Sequence, residues 1–452
     1  MFPARRRRSK LFYMLKTYWA GIVLWACWLG VPECGFSAAF YRIDDGSSNS
    51  YLTCISADGR VYGGIGMQHQ LPQERISMHL FGGAVSSLRS GVTNVPTTNI
   101  ALYTVGSDFY TGGLWAMNSN GTFIVGETNS VPGNHVEAFR WNGTNGVVGL
   151  GDLPGDVFES YARGISGNGS VVVGFGSSDA GIEAFRWTAS GGLQRLGILP
   201  GASESAATAI SADGLTIAGY SGNDIFLWKS STGMRSLGFL GSPSALSPDG
   251  RVLIGVMVSQ HVFRWTETEG VLDLGALTNQ VDARVYGMSG DGETIVGQAV
   301  QLEADGSVST ATIWDPVHGM RDLKTVLIQE YAIGLSGLQL IAANGISADG
   351  TTVVGEAHTI CPSGQDCQPH SFGFVVTGLR TFRRPIISAV WRTATVELSA
   401  ATQVGFAYAL EKKTSLGNGS WTLVSNKAGN GATQTWTNNI GAGQEFFRIV
   451  VR

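Results

Sequence analysis

One short motif recurs seven times along the chain, and it limits the possible folds more than any other feature. It consists of an apolar residue, Ser or Asn, any residue, Asp or Asn, and Gly, followed by a β-branched run that also ends in Gly. The differences between successive motif glycine numbers are 62, 48, 45, 36, 42 and 58. A solenoid needs coils of matched length, so this irregularity favours blades joined by loops of variable length. The motif glycines are Gly59, Gly121, Gly169, Gly214, Gly250, Gly292 and Gly350.

Each repeat predicts four strands. Strand A is the apolar run before the motif, and strand B is the β-branched run after it. The Asp/Asn-Gly pair between them predicts a tight hairpin turn, because both residues tolerate positive φ. Strand C carries Phe and Trp two positions apart, so both side chains point to one face, and strand D carries Leu-Gly-x-Leu. The aromatic pairs are Phe139/Trp141, Phe185/Trp187, Phe226/Trp228 and Phe263/Trp265.

The aromatic pairs also predict how the repeats associate. A single four-stranded unit cannot bury its own aromatic residues, so neighbouring units must stack, and radial closure is the economical arrangement. The presence of these rings in nearly every unit favours a core over a row of sugar-stacking rings. Six or eight blades are also compatible with the seven motifs.

The best-preserved repeat resembles a known family. Its line runs Glu183-Ala-Phe-Arg-Trp187, Leu196-Gly-Ile-Leu-Pro-Gly201 and Ala209-Ile-Ser-Ala-Asp-Gly214. This line is similar to the HAF repeat of bacterial extracellular proteins. The Ser-x-Asp-Gly turn is also similar to the repeats of TolB-type propellers.

The resemblance covers residues 115–375 well and residues 60–112 poorly. The HAF family is named for a His-Ala-Phe, whereas this chain has Glu137 and Glu183 at the His position and keeps a histidine only at His261. The resemblance implies a secreted, bacterial, propeller-like protein. It implies no particular activity.

The predicted fold is therefore all-β: a β-propeller of about seven four-stranded blades over residues 40–380, followed by a small C-terminal β-sandwich module over residues 381–452. The C-terminal residues alternate apolar and polar between Gly and Asn turns. Residues 60–112 hold either an irregular blade or a long insertion. Ala39–Ile43 resembles a displaced strand that completes the last blade.

Residues 1–39 are organised like a signal peptide. Arg5–Lys10 is basic, Tyr18–Val31 is apolar, and Ser37-Ala38-Ala39 offers small residues at a cleavage site. The apolar run of about 14 residues is shorter than the roughly 18 that span a bilayer, which favours cleavage over an uncleaved membrane anchor. The predicted location is secreted or at the cell surface, with no transmembrane segment after signal removal.

Charge narrows the set of partners. Residues 1–39 hold six of the 30 Lys and Arg residues and one of the 34 Asp and Glu residues, so the remainder has 24 basic and 33 acidic side chains, a net charge of −9. Such a body lacks the cations that displace counterions from nucleic acid or from an anionic membrane. The predicted partner is an extracellular glycan or protein, with no nucleic acid.

Three cysteines follow the signal. Cys361 and Cys367 flank a short polar loop, and an oxidising compartment predicts a local disulfide between them. Cys54, in an apolar strand, then stays unpaired. His358 and His370 flank the cysteine pair and complete a four-ligand set, but the spacing matches no common zinc module, so a disulfide is favoured over zinc.

The motif carboxylates also invite a metal interpretation. A calcium loop takes several oxygen ligands from a short stretch, whereas each turn offers one carboxylate and two copies have Asn. Asp58, Asp213, Asp249, Asp291 and Asp349 are therefore interpreted as turn residues, and no metal or cofactor is predicted.

Ligand-binding residues are expected where the varied B–C and D–A loops converge, opposite the tight A–B and C–D turns. Acidic residues and tyrosines dominate there, which suits a glycan or a cation-bridged ligand. Asp179, Glu204 and Asp282 lie in the same loops. The candidates are Glu127, His135, Glu137, Asp156, Glu159, Tyr161, Glu183, Arg284, Tyr286 and Glu356.

The predicted function is that of a secreted, non-catalytic repeat protein whose loop face serves binding or extracellular structural interaction. The alternative is a glycan-active enzyme, a lyase or hydrolase, with its site at the propeller mouth. A hydrolase needs paired carboxylates roughly 5–10 Å apart, and a lyase a Tyr/His/Arg trio. The sequence contains no nucleophile elbow, phosphate-binding loop or HExxH, and no catalytic residue is assigned.

Overall fold

A computed structural model describes most of the chain after residue 37. The described ranges are 38–43, 49–70, 73–82, 97–100, 113–130, 135–155, 157–277, 279–303, 306–360, 370–379, 387–391, 395–403, 406–413, 420–439 and 446–451. Within them the chain is almost entirely β-structure, with one α-helix. The predicted signal peptide up to residue 37, Asp156, Cys361 and Cys367 lie outside the described residues.

The strands of the repeat region are short and follow one another closely. They are β1 (Ala39–Ile43), β2 (Asn49–Ile55), β3 (Val61–Gln70), β4 (Gln73–Gly82), β5 (Thr97–Ile100), β6 (Gly113–Met117), β7 (Phe123–Ser130), β8 (His135–Asn142), β9 (Gly146–Gly149), β10 (Ser160–Ile165), β11 (Val171–Ser178), β12 (Gly181–Thr188), β13 (Gly192–Gly197), β14 (Ser205–Ile210), β15 (Thr216–Ser221), β16 (Asp224–Lys229), β17 (Gly233–Leu246), β18 (Val252–Met257), β19 (Val262–Thr266), β20 (Gly270–Asp273), β21 (Gln280–Met288), β22 (Ile295–Glu303), β23 (Gly306–Asp315), β24 (Gly319–Asp322), β25 (Leu338–Ile346), β26 (Val353–Thr359) and β27 (Ser371–Thr377).

These strands form consecutive four-stranded antiparallel units, and a parallel pairing at Asn49↔Ser371 joins β2 of the first unit to β27 of the last. The units are β2–β5, β6–β9, β10–β13, β14 to the first part of β17, the second part of β17 to β20, and β21–β24. Strand β17 serves two units because Gly233–Leu240 follows β16 and Gly241–Leu246 pairs with β18. None of the sheets in the described part of the chain closes on itself.

The last unit takes its fourth strand from the other end of the repeat region. β25, β26 and β27 pair in order, and β1 pairs antiparallel with β27 from Ala39↔Thr377 to Ile43↔Gly373. The prediction that Ala39–Ile43 completes the last unit is confirmed. Residues 60–112 contribute β3, β4 and β5 to the first unit, and their connections lie partly outside the described residues.

The first strands of successive units are neighbours in space. Each contacts the next along the series β2, β6, β10, β14, β17, β21 and β25, and β25 also contacts β2. The first strand of the last unit, β25, therefore lies next to the first strand of the first unit, β2.

Backbone hydrogen bonds join the motif turns in the same cyclic order. The donor in each case is the N–H of the residue between Ser/Asn and Asp/Asn, and the acceptor is the carbonyl of its counterpart in the next unit. The interval from Pro248 to Gly290 lacks the bond because proline has no N–H. The bonds are Ala57→Ser119 (2.9 Å), Ser119→Gly167 (3.2 Å), Gly167→Ala212 (2.9 Å), Ala212→Pro248 (2.9 Å), Gly290→Ala348 (2.8 Å) and Ala348→Ala57 (2.8 Å).

The polar residues of the motif hold the turn together. Ser211 Oγ donates to Asp213 Oδ1 (2.5 Å) and accepts from the Thr216 N–H (3.0 Å), while Asp213 Oδ1 accepts from the Leu215 N–H (2.9 Å). The expected tight turn with positive φ at both Asp and Gly is wrong in detail. Only Gly214 has positive φ (73°), because the Asp213 carboxylate caps the turn from an ordinary conformation.

Most of the hydrophobic core lies between neighbouring units. Phe185 and Trp187 of the third unit pack with Val125 and Ala138 of the second. Phe226 of the fourth unit packs with residues of the third in the same way. The aromatic residues of strand C are therefore core residues. The fully buried ones are Phe139, Phe185, Phe226, Phe263, Phe372 and Phe374.

Each first strand contains a β-bulge at the same place in the repeat. In β10 the register with β11 jumps from Ala162 to Gly164, so Arg163 has no ladder partner. The same jump leaves one residue unpaired in every other first strand, three positions before the Ser or Asn of the motif. We call these the seven bulge residues: Thr53, Trp115, Arg163, Thr208, Ser244, Tyr286 and Asn344.

The glycine that ends the β-branched run accommodates the bulge. A Cβ at Gly174 would lie 1.8 Å from the carbonyl oxygen of Tyr161, two positions before Arg163. In the other six units the corresponding distance is 1.7 to 2.4 Å, so any side chain there would force the two strands apart. These glycines are Gly64, Gly126, Gly174, Gly219, Gly255, Gly297 and Gly355.

Two further elements complete the described structure. Helix α1 (Leu323–Tyr331) is capped by Asp322, whose carboxylate accepts from the Lys324 N–H (2.8 Å), and it buries Leu323 and Leu327 beside the sixth and seventh units. No helix in the described ranges is long and apolar enough to span a membrane.

The C-terminal strands form two three-stranded antiparallel sheets, β28–β29–β32 and β31–β30–β33. The two sheets share one core cluster that includes Val396, Leu398, Tyr408, Leu410 and Trp436. The strands are β28 (Ile387–Trp391), β29 (Thr395–Ala401), β30 (Ala407–Lys413), β31 (Thr422–Ala428), β32 (Thr433–Asn439) and β33 (Phe446–Val451).

The bulge glycine can be tested directly. We expect Gly174→Ala to lower the free energy of unfolding by about 1–3 kcal/mol or more, because the new methyl group overlaps the Tyr161 carbonyl. Urea denaturation of the chain from residue 40 onward measures the loss. Gly143→Ala is the matched control, since its Cβ would approach only Trp141 at 3.9 Å. Equal effects of the two substitutions would contradict the interpretation.

Thiol counting tests the predicted disulfide. Burial raises the pKa of the Cys54 thiol to about 12, so Cys54 should react with Ellman's reagent only after unfolding. If Cys361 and Cys367 are paired, the unfolded, unreduced chain from residue 40 onward titrates one thiol, and Cys54→Ser titrates none. Three thiols before reduction would rule the disulfide out.

Candidate functional site

All seven bulge residues line one cavity of about 1030 Å³. Strand residues Tyr51, Tyr220, Asp282 and Glu356 and the loop residue Glu204 also line it. A second cavity of about 270 Å³ shares Trp115, Arg163, Thr208, Ser244 and Tyr286 with the first and extends to the motif turns. The two cavities are therefore consecutive parts of one axial passage between the first strands.

The bulge residues vary in chemical type from unit to unit more than their neighbours do. Their side chains are hydroxyl, amide, aromatic and guanidinium groups. The residues on either side are mainly small or aliphatic, as in Ala162 and Gly164 around Arg163 or Ala207 and Ala209 around Thr208. A bulge redirects one side chain out of the ladder. The repeat therefore presents one variable side chain per unit to the cavity from a constant framework.

Trp115 and Arg163 form the most elaborate contact in the wall. The Arg163 Cζ lies 4.5 Å from the centroid of the Trp115 ring, 5.3 Å from that of Phe175 and 5.4 Å from that of Tyr161. Arg163 Nη1 pairs with Glu127 Oε2 at 2.7 Å, and the indole N–H of Trp115 donates to the same oxygen. Burial raises the pKa of Glu127, and the ion pair with Arg163 opposes that rise.

Three tyrosines supply hydroxyl groups to the cavity. Burial raises the pKa of Tyr51, Tyr220 and Tyr286, and the carboxylates of Glu356 and Glu204 add to the rise for Tyr51 and Tyr220 respectively. All three phenols are therefore protonated at neutral pH and can donate hydrogen bonds. Tyr286 already donates to Gln298 Oε1 at 3.1 Å.

The acidic residues of the wall are partly engaged. Arg284 Nε lies 3.4 Å from Asp282 Oδ2. Glu356 Oε1 lies 2.9 Å from His358 Nε2, and Ser371 Oγ lies 2.8 Å from the same nitrogen. A catalytic Ser–His–carboxylate triad uses opposite nitrogens of the imidazole. This cluster therefore lacks the geometry of a nucleophilic triad.

The structure brings only some of the predicted site residues together. Arg284, Tyr286 and Glu356 line the cavity, as do Glu204 and Asp282. Glu127, Tyr161 and Glu159 do not line the cavity. Glu127 and Tyr161 contact the cavity residue Arg163, and Glu159 accepts from the Tyr161 hydroxyl. The exposed His135 lies beside the Phe158 ring, Asp179 pairs with Arg195, and Asp156 lies outside the described residues.

Glu137 and Glu183 have a different role from the one predicted by their loop position. Glu137 Oε1 accepts from the Gly151 N–H (2.9 Å), and Glu183 Oε1 accepts from the Gly197 N–H (3.2 Å). Both contacts hold the Leu-Gly segment of strand D. Ser160 Oγ of the third unit also holds this segment of the second unit, by donating to the Gly151 carbonyl at 2.6 Å. Glu137 and Glu183 therefore stabilise their units and do not line the cavity.

Sequence reasoning missed six of the seven bulge residues, all except Tyr286. The signal was available: in each repeat the residue three positions before the motif Ser or Asn changes type, while a glycine recurs on the next strand. Among the described residues, no group of three or more His, Cys, Asp or Glu side chains is arranged to hold a metal ion. Cys361 and Cys367 fall outside that comparison.

This chain is similar to solved structures but matches no known family. No family model matches the chain, and no curated protein matches it. Solved structures similar to it include a protein assigned as TolB from Agrobacterium tumefaciens, at 13% identity and a TM-score of 0.37, over 77% of this chain and 98% of that one. TolB from Acinetobacter baumannii is similar at 14% identity and a TM-score of 0.38, over 60% of this chain and 62% of that one. The resemblance to HAF repeats stays a prediction. Both TM-scores are low, and the evidence for the fold is the strand pairing of this chain.

Proposed function

We propose that this chain is a secreted, non-catalytic binding protein whose ligand, an extracellular glycan or protein segment, sits in the axial cavity. One observation carries the proposal: seven units place residues of six different types at one equivalent position, and all seven line the same cavity. A scaffold kept constant for stability alone has no need of that variation. Binding residues held on a rigid framework have this pattern.

The proposed framework is a seven-bladed β-propeller followed by a β-sandwich module. Support comes from the cyclic order of the first strands and from six hydrogen bonds between motif turns, which join every adjacent pair of the seven except Pro248 and Gly290. Further support is the addition of β1 to the last unit, since a strand exchanged between the ends of the repeat region holds such a ring together. The shared core of the two C-terminal sheets supports the sandwich.

Export is part of the proposal. It rests on the basic and apolar segments of residues 1–39 and on the resemblance to extracellular repeats. Cleavage after Ala39 would remove only the first residue of β1 and leave Phe40–Ile43 to pair with β27.

The chemistry of the wall favours a hydroxyl-rich ligand. Protonated phenols, threonine and serine hydroxyls and the amides of Asn223, Gln298 and Asn344 can pair with hydroxyl groups as donors or acceptors. A volume of about 1030 Å³ is large enough for several sugar residues. Drug-like ligands, in contrast, occupy predominantly apolar pockets.

A glycan-active enzyme is the second candidate. Glu204, Asp282 and Glu356 line the same cavity as Tyr286 and Arg284, so carboxylates and a Tyr–Arg pair share one space. Hydrolysis would need two of the three carboxylates at the separation that glycosidases use.

A glycan array probed with the mature chain, followed by a turnover assay on every ligand that binds, tests both candidates. We expect binding without turnover. Thr208→Trp and Ser244→Trp, which fill the cavity from bulge positions, should weaken binding at least tenfold, because the indole occupies the ligand's space. Leu215→Trp is the control, since Leu215 is exposed in a motif turn at the other end of the passage.

The outcomes separate the candidates. Turnover that is lost in Glu204→Gln, Asp282→Asn or Glu356→Gln would replace the binding function by the enzyme. Binding that survives both cavity-filling substitutions would remove the cavity from the proposal. A silent array combined with capture of a protein ligand, blocked by the same two substitutions, would keep the cavity and identify the protein alternative.

A further inference from the structure

Trp115 is the largest exposed side chain among the bulge residues. Its relative exposure is 48%, and that open surface belongs to the cavity wall. An exposed tryptophan gains little from the hydrophobic effect, because its apolar surface stays in contact with water. Phe139 and Trp141 of the same unit are buried. The open surface of the Trp115 indole therefore contributes little to folding through burial.

Three neighbours nevertheless fix the indole in place. Glu127 accepts its N–H, and the Arg163 guanidinium lies over its ring at 4.5 Å. Gly113 leaves room for it, since a Cβ there would lie 2.7 Å from the indole Nε1 and 2.8 Å from Cε2. Glu127 in turn is held by its ion pair with Arg163. A rigid, solvent-facing aromatic surface inside a cavity is a preorganised binding surface.

The surroundings indicate what the surface binds. The bulge positions on either side of Trp115 are Thr53 and Arg163. The Arg163 guanidinium lies over the ring, so the open indole surface lies beside a hydroxyl and a guanidinium group. Arg163 Nη1 donates to Glu127, and Arg163 is also a cavity-lining residue. A pyranose ring has the matching shape, with C–H groups on a face and hydroxyls around the rim.

We propose that Trp115 is the stacking platform for a pyranose ring of the ligand, with Thr53 and Arg163 pairing with its rim hydroxyls. The inference rests on the proposed function and names the ligand class as a saccharide. Trp115 and Arg163 are binding residues. Glu127 is a positioning residue, since it acts by fixing both of them.

The test observes Trp115 itself. The mature chain is labelled with 5-fluorotryptophan, and the ¹⁹F resonance of Trp115 is identified by its absence in Trp115→Phe. Hexasaccharides of glucose, N-acetylglucosamine and galacturonic acid are then titrated in turn. We expect at least one to shift this resonance. In calorimetry, Trp115→Ala should weaken binding of that hexasaccharide about tenfold to a hundredfold, the range for loss of one stacked ring.

Phe158→Ala is the matched control, because Phe158 is an exposed aromatic residue of a loop that does not line the cavity. It should leave the affinity unchanged. Glu127→Gln keeps an oxygen for the indole N–H but removes the charge that holds Arg163. We expect this variant to broaden the Trp115 resonance before ligand is added and to weaken binding, with the far-ultraviolet circular dichroism spectrum unchanged.

The failures are distinguishable. A hexasaccharide that binds wild type and Trp115→Ala equally, or that shifts other tryptophan resonances only, overturns the platform and leaves cavity binding in place. No shift with any of the three hexasaccharides overturns the saccharide assignment; the cavity-filling variants then decide separately whether a protein ligand uses the passage. A broadened resonance in Glu127→Gln with unchanged affinity overturns the positioning role of Glu127.

Discussion

Burial of aromatic side chains between units is the interaction on which the rest of the structure depends. Burying a ring such as Phe185 or Trp187 contributes roughly 2–3 kcal/mol, but only when the neighbouring unit covers it. The third unit is covered by Val125 and Ala138 of the second, and the same relation recurs around the repeat region. No unit is a stable sheet by itself. The order of the units in space therefore follows from where each one finds its cover.

This packing brings the seven first strands together around one passage, and the bulge determines what they offer to it. A regular ladder would alternate its side chains between the two faces of each blade. The extra residue at Arg163 or Tyr286 breaks that alternation and redirects one side chain. The glycine opposite the bulge, such as Gly174, makes room for the displaced carbonyl. Each first strand therefore has two kinds of residue. The neighbours of the bulge residue pair with the next strand, whereas the bulge residue lines the cavity and varies between units.

The repeated sequence pattern predicts the strands and the core residues, but it does not predict the strand register that places residues in the cavity. The four-stranded unit, the core role of Phe139 or Phe185, and the strand Ala39–Ile43 follow from period and residue type, because these patterns reflect burial. The bulge does not, since its residue looks like any other residue of strand A. For the same reason Glu137 and Glu183, which have the composition of a loop-face site, instead accept backbone N–H groups of Gly151 and Gly197. Composition identifies polar residues, whereas only register shows which polar residues meet.

The pairing of β1 with β27 also has a consequence for the order of events during synthesis. Ala39 and Thr377 lie at opposite ends of the repeat region, so their contact has the largest sequence separation of any strand pair there. The entropy of closing so long a loop is lost before the contact forms. If the chain is exported N-terminus first, β1 crosses the membrane early and stays unpaired until β27 has also crossed. Throughout that interval β1 and the edge of the last unit are unpaired strand edges, which are open to aggregation. The pairing of β1 with β27 would then form only in the last step.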